Sequence, residues 1–341
     1  MQLQKSIITP SRGDVHVNRP LTNISIAYMQ EQSSFVASSM FPNVPVSKIS
    51  DQYFVFPLGE FSRDEMRQRA PGTESAGSGY AISSDNYSCR VFALHKDVHD
   101  QIRANEDSPL NGDTEATQFL TMQAMMNRER RWIDTYFKTG VWTLSADGAG
   151  SASASQDFSN NADNNLVYWN NTASNPIENV RAAKTAILER TGFEPNKLLL
   201  GKHVYDVLVD HPDIIGRLDR GQTTGPAMTN MQQLAALFEV DQILVSKAIY
   251  NSSRVDTTAS HSFVAGKHAL LAYSPASPGL MTPSCGYTFS WTGFLGAGDA
   301  GMRMKRFRME NLESDRIEIQ SAYDFKVVSE ELGFFFNGIV E

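Results

Sequence analysis

The sequence predicts an α+β fold, and three observations carry that expectation. A helical stripe runs over residues 113–139, helices alternate with short apolar strands over 175–274, and the chain turns β-rich from 285 onward. The 341 residues, 41% hydrophobic and 20% charged, suffice for a sizeable core in one large or two to three small domains. The formal net charge of −8 lacks the basic excess of a nucleic-acid reader. Cys89 and Cys285 lie far apart and form no C-x-x-C pair, so a disulfide framework is not expected and a reducing compartment fits. No apolar run approaches the roughly 20 residues of a membrane helix, and no signal-peptide pattern opens the chain.

Residues 1–50 read as an arm, broken by Pro10, Pro20, Pro42 and Pro45 and extended over Phe41-Pro42-Asn43-Val44-Pro45-Val46. It reads as lying on something else, with a neighbouring subunit as one candidate. Residues 51–95 read as an extended β-hairpin loop. Its strands are Tyr53–Phe56 and Tyr87–Leu94, the second with Tyr87, Cys89, Val91 and Ala93 on one face. The polar insert 57–86, ending in Gly72, Gly77 and Gly79, is too long for an ordinary connection and suits packing on a partner.

Residues 96–174 hold the long helix 113–139, with Asp113 as cap, Glu115 in the first turn and Gly140 as stop. Phe119, Met122, Met126, Ile133 and Phe137 form its apolar stripe, interrupted by Arg128-Glu129-Arg130-Arg131. The Ser/Ala/Asn/Gly-rich stretch 143–172 reads as a loop with no core of its own.

Residues 175–284 form the most regular unit. Asn175-Pro176-Ile177-Glu178 is a capping box, and Ile177, Val180, Ala183, Ile187 and Leu188 give an apolar face ending near Gly192. Lys197–Leu200, Gln242–Ser246 and His268–Tyr273 read as strands. His203–Asp210 is a helix stopped by Pro212, and Thr229-Asn230-Met231-Gln232 opens another. In 285–341, Thr288–Trp291, Arg303–Met309, Arg316–Gln320 and Tyr323–Val328 are candidate strands, followed by Phe334-Phe335-Phe336.

Chemistry-bearing motifs are weak. Gly296-Ala297-Gly298-Asp299-Ala300-Gly301 matches G-x-G-x-x-G, yet a strand-like run follows where a dinucleotide site needs a helix. His95 and His99 share the spacing of zinc peptidases, but Lys96 stands where their glutamate base belongs. No nucleophile elbow or P-loop occurs. The expectation is no catalytic, cofactor or metal residue. Candidate inter-subunit contacts are Arg63, Glu65, Arg67 and Arg69 in the loop, Arg128, Arg130 and Arg131 on the long helix, and Arg303, Arg306 and Arg308 near the C-terminus.

The order arm, long hairpin, long helix, compact mixed domain and returning strands resembles the Hong Kong 97-type major capsid fold of tailed bacteriophages. The Phe41–Val46 passage is similar to the arm-to-loop junction of that family. Pro195-Asn196-Lys197-Leu198-Leu199-Leu200-Gly201, His211-Pro212-Asp213-Ile214 and Leu234–Asp241 are similar to its axial domain, as is Val245-Ser246-Lys247-Ala248-Ile249-Tyr250-Asn251. The resemblance implies an N-terminal arm (1–50), an extended loop (51–95), a peripheral domain with a spine helix (96–174), an axial domain (175–284) and return strands of the peripheral domain (285–341).

It further implies self-assembly through pentameric and hexameric capsomers into an icosahedral head around double-stranded DNA, which the wall touches non-specifically. Assembly would take place in the host cytoplasm, with no membrane. A separate scaffolding protein and a portal are implied partners, and a cement or decoration protein has a place beside them. Some relatives crosslink a lysine of the extended loop to a neighbour's asparagine; residues 51–95 contain no lysine, so no such bond is expected there. Two other readings remain open: an encapsulin-like shell, which shares the fold, and a cytoplasmic enzyme built on 175–274.

Overall fold

The computed structural model describes residues 29–106, 110–151, 158, 164–219, 230–254, 257–279, 281–295 and 301–341. The chain enters through a one-turn helix α1 (Ala37–Met40) and strand β1 (Asn43–Val46). Strands β2 (Ser50–Val55), β3 (Ser83–Ser88) and β4 (Arg90–His99) follow, then α2 (Asp100–Arg103) and the spine helix α3 (Gly112–Tyr136). After β5 (Leu144–Ala149) and β6 (Asn165–Val167) come α4 (Pro176–Thr191), β7 (Lys197–Gly201), α5 (Lys202–Val209), α6 (Pro212–Asp219) and α7 (Met231–Phe238). Strands β8 (Gln242–Ser246), β9 (Ile249–Asn251), β10 (His261–Phe263), β11 (Ala269–Ala272) and β12 (Gly286–Trp291) lead to α8 (Thr292–Leu295). The chain closes with β13 (Met302–Met309), β14 (Ser314–Val327) and β15 (Gly333–Asn337).

A six-stranded sheet, in the order β6-β5-β15-β11-β7-β8, forms the centre. Strands β15, β11, β7 and β8 carry short apolar runs because both faces are covered. Leu198 and Leu200 of β7 pack under α4, α5 and α7, while Leu199 between them points to the other face, against Trp132 and Tyr136 of the spine helix. Phe334 and Phe336 follow the first side and Phe335 the second. The period-2 alternation of a strand therefore feeds two cores from one uninterrupted apolar run.

In a second sheet, β14 pairs antiparallel with β12 and β13 and also with β4. The first half of α3 lies on this sheet through Ala116 and Leu120 against Val98, Ile317 and Ile319. Its second half lies on the six-stranded sheet. Twenty-five residues, about 37 Å of helix, are what bridging both requires.

Several local expectations change. The spine helix begins at Gly112, and Asn111, not Asp113, caps it by accepting from the Thr114 amide at 3.1 Å. The 143–172 stretch is not merely a loop: β5 and β6 enter the central sheet, and Leu144, Ala146, Leu166 and Trp169 are buried there. Apolar residues spaced widely among Ser, Ala and Asn gave no periodic signal, yet neighbouring strands supply their partners. Of the six central strands, β7, β8 and β11 fall within 175–284; β5 and β6 precede it and β15 follows it.

Arg316–Gln320 and Tyr323–Val328 are one fourteen-residue strand, because Ser321-Ala322 has neighbouring strands on both sides. Pro212 opens a helix rather than only ending one, as its missing N–H costs nothing at a first position. The Asn175 side chain makes no cap bond to the α4 backbone, though its carbonyl accepts from the Asn179 amide at 3.0 Å; the side-chain amide reaches the Glu178 carboxylate at 3.3 Å instead. Gly192, at φ 76°, closes α4 as expected.

Gly148 of β5 abuts the Gly338 carbonyl and the Ile339 Cα, so a side chain there meets backbone. Gly148→Ala should lower stability by about 1–3 kcal/mol, read as a lower denaturant midpoint with unchanged slope.

Candidate assembly surfaces and the arm anchor

The β2–β3 hairpin ends its ladder at Val55 opposite Ser83 and continues as an extended excursion. Every residue from 61 to 86 is exposed. Phe56, Phe61 and Tyr80 form an aromatic cluster with ring centroids 5.6 to 6.0 Å apart, and this organises the excursion. The cluster cannot hide its own surface: Phe61 is 59% and Tyr80 56% exposed, and outside the cluster Phe54 is 70% and Met66 93% exposed. The base is rigid by contrast. Tyr87 stacks on Phe289 at 4.7 Å, Tyr53 donates to Asp85 at 2.7 Å, and the Ser88 amide donates to Asp324 at 2.9 Å.

The loop charges expected at an interface, Arg63, Glu65, Arg67 and Arg69, all lie on this excursion and are exposed. Arg69 donates to the Thr73 carbonyl and Glu65 accepts from Ser78, both within the excursion.

The C-terminal arginines are differently placed. Arg306 meets Asp315 at 2.6 Å and Asp113 at 3.1 Å. Arg103 meets Asp113 at 2.7 Å and Asp315 at 3.1 Å, and Arg308 donates to Asp100 at 2.8 Å. The hydrogen bond from Arg306, with help from Arg103, holds the Asp315 carboxyl down to about 2. Three cations and three anions thus lock the start of the spine helix to the β13–β14 end of the sheet. Arg303 donates to the Phe294 carbonyl at 2.8 Å and to Gln320 at 2.9 Å. These arginines are largely engaged within their own chain.

On the spine helix, Arg131 lies 4.0 Å from the centroid of the Phe92 ring, and the exposed Arg130 lies 5.3 Å from that of Tyr250. Arg128 overturns the expectation of an inter-subunit contact: it is buried, facing the Tyr323 ring at 6.0 Å.

Glu129, between these arginines, is fully buried and was read from sequence only as part of a charged break. One carboxylate oxygen accepts from the Val36 and Ala37 amides at 2.9 and 2.8 Å, and the other accepts from the Ser246 hydroxyl at 3.1 Å. At the other end of α1, the Lys197 ammonium donates to the Ser39 and Met40 carbonyls, each at 2.8 Å. Opposite charges from the body thus meet both termini of a four-residue helix, matching its dipole. Ser274 donates to the same Met40 carbonyl at 2.7 Å, and Gln30 exchanges two hydrogen bonds with the Ile249 backbone. Met40 and Phe41 are buried among Trp132 and Tyr136.

Of the two resting places open to the arm, residues 29–46 take the body of their own chain; residues 1–28 lie outside the described residues. The signal for Glu129 was available. It is spaced three and seven residues from Met126 and Met122, and four from Ile133, which puts it on the apolar face. Burial pushes its carboxyl upward, against the bonds it accepts.

The motifs that suggested chemistry resolve structurally. His95 and His99 sit on strand β4 rather than a helix, about 13 Å apart along the strand and beyond a shared metal. Ser174 and His211 are 3.0 Å apart, the distance of a nucleophile and its base. But the His211 Nδ1 accepts from the Asp213 amide at 3.2 Å, so Nε2 carries the proton and cannot take one from serine. Burial raises the Cys89 thiol to about 12 and pushes Cys285 up as well, so both are poor nucleophiles. Of the glycine motif only Gly301 is among the described residues.

The profile of the family described as "Phage major capsid protein E" matches residues 137–284. The major capsid protein of Burkholderia phage BcepMu is 24% identical over 280 residues, covering 80% of this chain and 82% of that protein. A phage-related protein of Bordetella bronchiseptica RB50 superposes with TM-score 0.65 at 20% identity, over 91% of this chain and 94% of that one. The capsid of Cyanophage P-SCSP1u gives TM-score 0.59 at 10% identity, over 97% of this chain and 99% of that one. The mature capsid of bacteriophage PhiM1 gives 0.58 at 12%, over 95% of this chain and 92% of that one. The chain has the α+β Hong Kong 97-type capsid fold.

Replacing Glu129 tests the anchor. Glu129→Ala leaves the Val36 and Ala37 amides without an acceptor, a loss of about 1–3 kcal/mol for each buried group. Faster hydrogen exchange over residues 29–41 is the expected result, with Glu129→Gln, which keeps an acceptor, closer to the parent.

Proposed function

We propose that this chain is the major capsid protein of a phage, a structural subunit that builds the shell of the virion. The observation that carries this reading is the pairing of a satisfied body with an unsatisfied projection. The body covers both faces of its central sheet, whereas the hairpin holds Phe54 at the end of its ladder and Phe61 and Met66 on its excursion in solvent. Burying apolar surface is worth about 25 cal/mol per Å², and an exposed projection gains it on another copy. The capsid fold and the likeness to a phage major capsid protein support the same reading.

The finer features follow as part of the proposal. Copies associate as pentamers and hexamers, with the excursion 56–82 lying over the adjacent subunit. Arg63, Glu65, Arg67 and Arg69, which meet no charged partner on the body among the described residues, are placed for contacts there; the exposed Arg130 is a further candidate. A separate scaffolding protein and a portal take part, and assembly occurs in the host cytoplasm. The net charge of −8 suits a wall that touches packaged DNA without holding it. With no lysine in residues 51–95, the shell is held at that loop by non-covalent contacts. The subunit carries no catalytic role.

Negative-stain electron microscopy of the purified chain, alone and with a co-expressed scaffolding protein, tests assembly. Closed shells or rings of five or six are expected; single particles under both conditions would sink the proposal. Limited trypsin digestion adds a residue-level test. Cleavage at Arg63, Arg67 and Arg69 should be fast in free subunits and at least about tenfold slower in shells, since proteolysis follows exposed, open backbone.

A further inference from the structure

Two histidines of the compact domain are wired alike, and their contacts converge on one end of the fold. His268 precedes β11, and its Nδ1 accepts from the Gly338 amide at 2.9 Å, while its ring stacks on Phe335. His211, between α5 and α6, accepts the Asp213 amide at Nδ1, and its Nε2–H meets the Ser174 hydroxyl. That hydroxyl already donates to the Asn171 carbonyl at 2.6 Å, so it receives the imidazole proton.

The two sites share a neighbour. The tail after β15 bonds the turn that contains Ser174: the Trp169 amide donates to the Ile339 carbonyl at 2.8 Å, and the Glu341 amide to Asn170 at 3.3 Å. His211 grips this turn directly; His268 grips it through the tail, which is also held by the Ile339 amide on the Lys267 carbonyl at 3.1 Å.

Both Nδ1 atoms act as acceptors from backbone N–H groups. A proton added at either nitrogen sets a donor against a donor, and the bond is lost. We infer that His211 and His268 form a proton-operated clasp: charging His268 costs the Gly338 amide its acceptor and frees the 338–341 tail, and with it the 169–175 turn that the tail bonds, while charging His211 costs the Asp213 amide its acceptor and unseats the ring that holds Ser174.

The surroundings favour the neutral form. Burial draws both imidazoles below the ordinary histidine value. Around His211, the Asp213 carboxylate favours the charged form, but Arg217 lies 3.3 Å from Asp213 and 3.6 Å from Glu178 of α4, which offsets it. Around His268 stand the Asn337 amide, itself bonded to Asp147 at 2.7 Å, and the adjacent Lys267. A depressed histidine stabilises the closed state fully above its free value near 6.5, and that contribution falls as pH drops below it.

Hydrogen-exchange mass spectrometry on the full chain, corrected for intrinsic rates, at about pH 7.5 and about pH 5.5 tests the clasp. Acid should speed exchange about tenfold in 169–175 and 338–341 and leave β7 and β11 unchanged, the opening expected of local release. A double variant, His211→Asn with His268→Asn, keeps an acceptor oxygen near each Nδ1 position but takes up no proton, so its acid response should vanish. Equal protection of both segments at the two pH values, or an undiminished response in the double variant, overturns the inference. If the double variant does not fold, imidazole titration of the parent by NMR decides: both groups should titrate below about 6.5, and either one at or above it overturns the clasp.

Discussion

A buried carboxylate ties three separate parts of this chain together. Glu129 stands on the spine helix, takes two amides from the arm and one hydroxyl from β8, and is fully buried. A charge in such a place is tolerated only when donors replace its water. The three donors come from sequence positions roughly a hundred residues away on either side, so Glu129 is satisfied only when arm, helix and sheet are assembled. The dependence also runs the other way. A four-residue helix has no stability of its own, and α1 persists because Glu129 and Lys197 occupy its two ends.

From that junction the molecule divides into a part that is complete and a part that is not. The six-stranded sheet is closed by helices on one face and by the spine helix and arm on the other. Among the described residues the hairpin has no such cover. Its base is fixed by the Tyr87–Phe289 stack, yet every residue from 61 to 86 is exposed. A hairpin with a fixed base and exposed aromatics suits addition to another copy, where the apolar surface it leaves in solvent is buried.

Charge is used differently from what its sequence clustering suggested. Arg306 and Arg308 fall in the most basic stretch of the chain, but Asp100, Asp113 and Asp315 draw them inward. Their work is to hold the head of the spine helix to the sheet. Among the described residues the exposed cations of the hairpin excursion meet no comparable carboxylates on the body, which separates two groups that the sequence puts together.

The sequence by itself determined the element order, the α+β class, the spine helix, the strands at 197–200 and 242–246, and the hairpin with its long insert; of the stripe expected on the helix only Ile133 is buried, and Phe119 is 49% exposed. Each is encoded locally, by periodicity, capping residues or an apolar run, and survives without knowledge of its partners. Tertiary structure alone decided the rest. Leu144, Leu166 and Trp169 became core only because β15, from the far end of the chain, lies beside β5. Ser174 and His211 looked like a reactive pair only once brought together, and the Asp213 amide then fixed the tautomer that rules this out. Arg128 and Glu129 were legible as charges but not as buried ones. Burial depends on what packs against a helix face, and the arm that covers this one lies about ninety residues upstream.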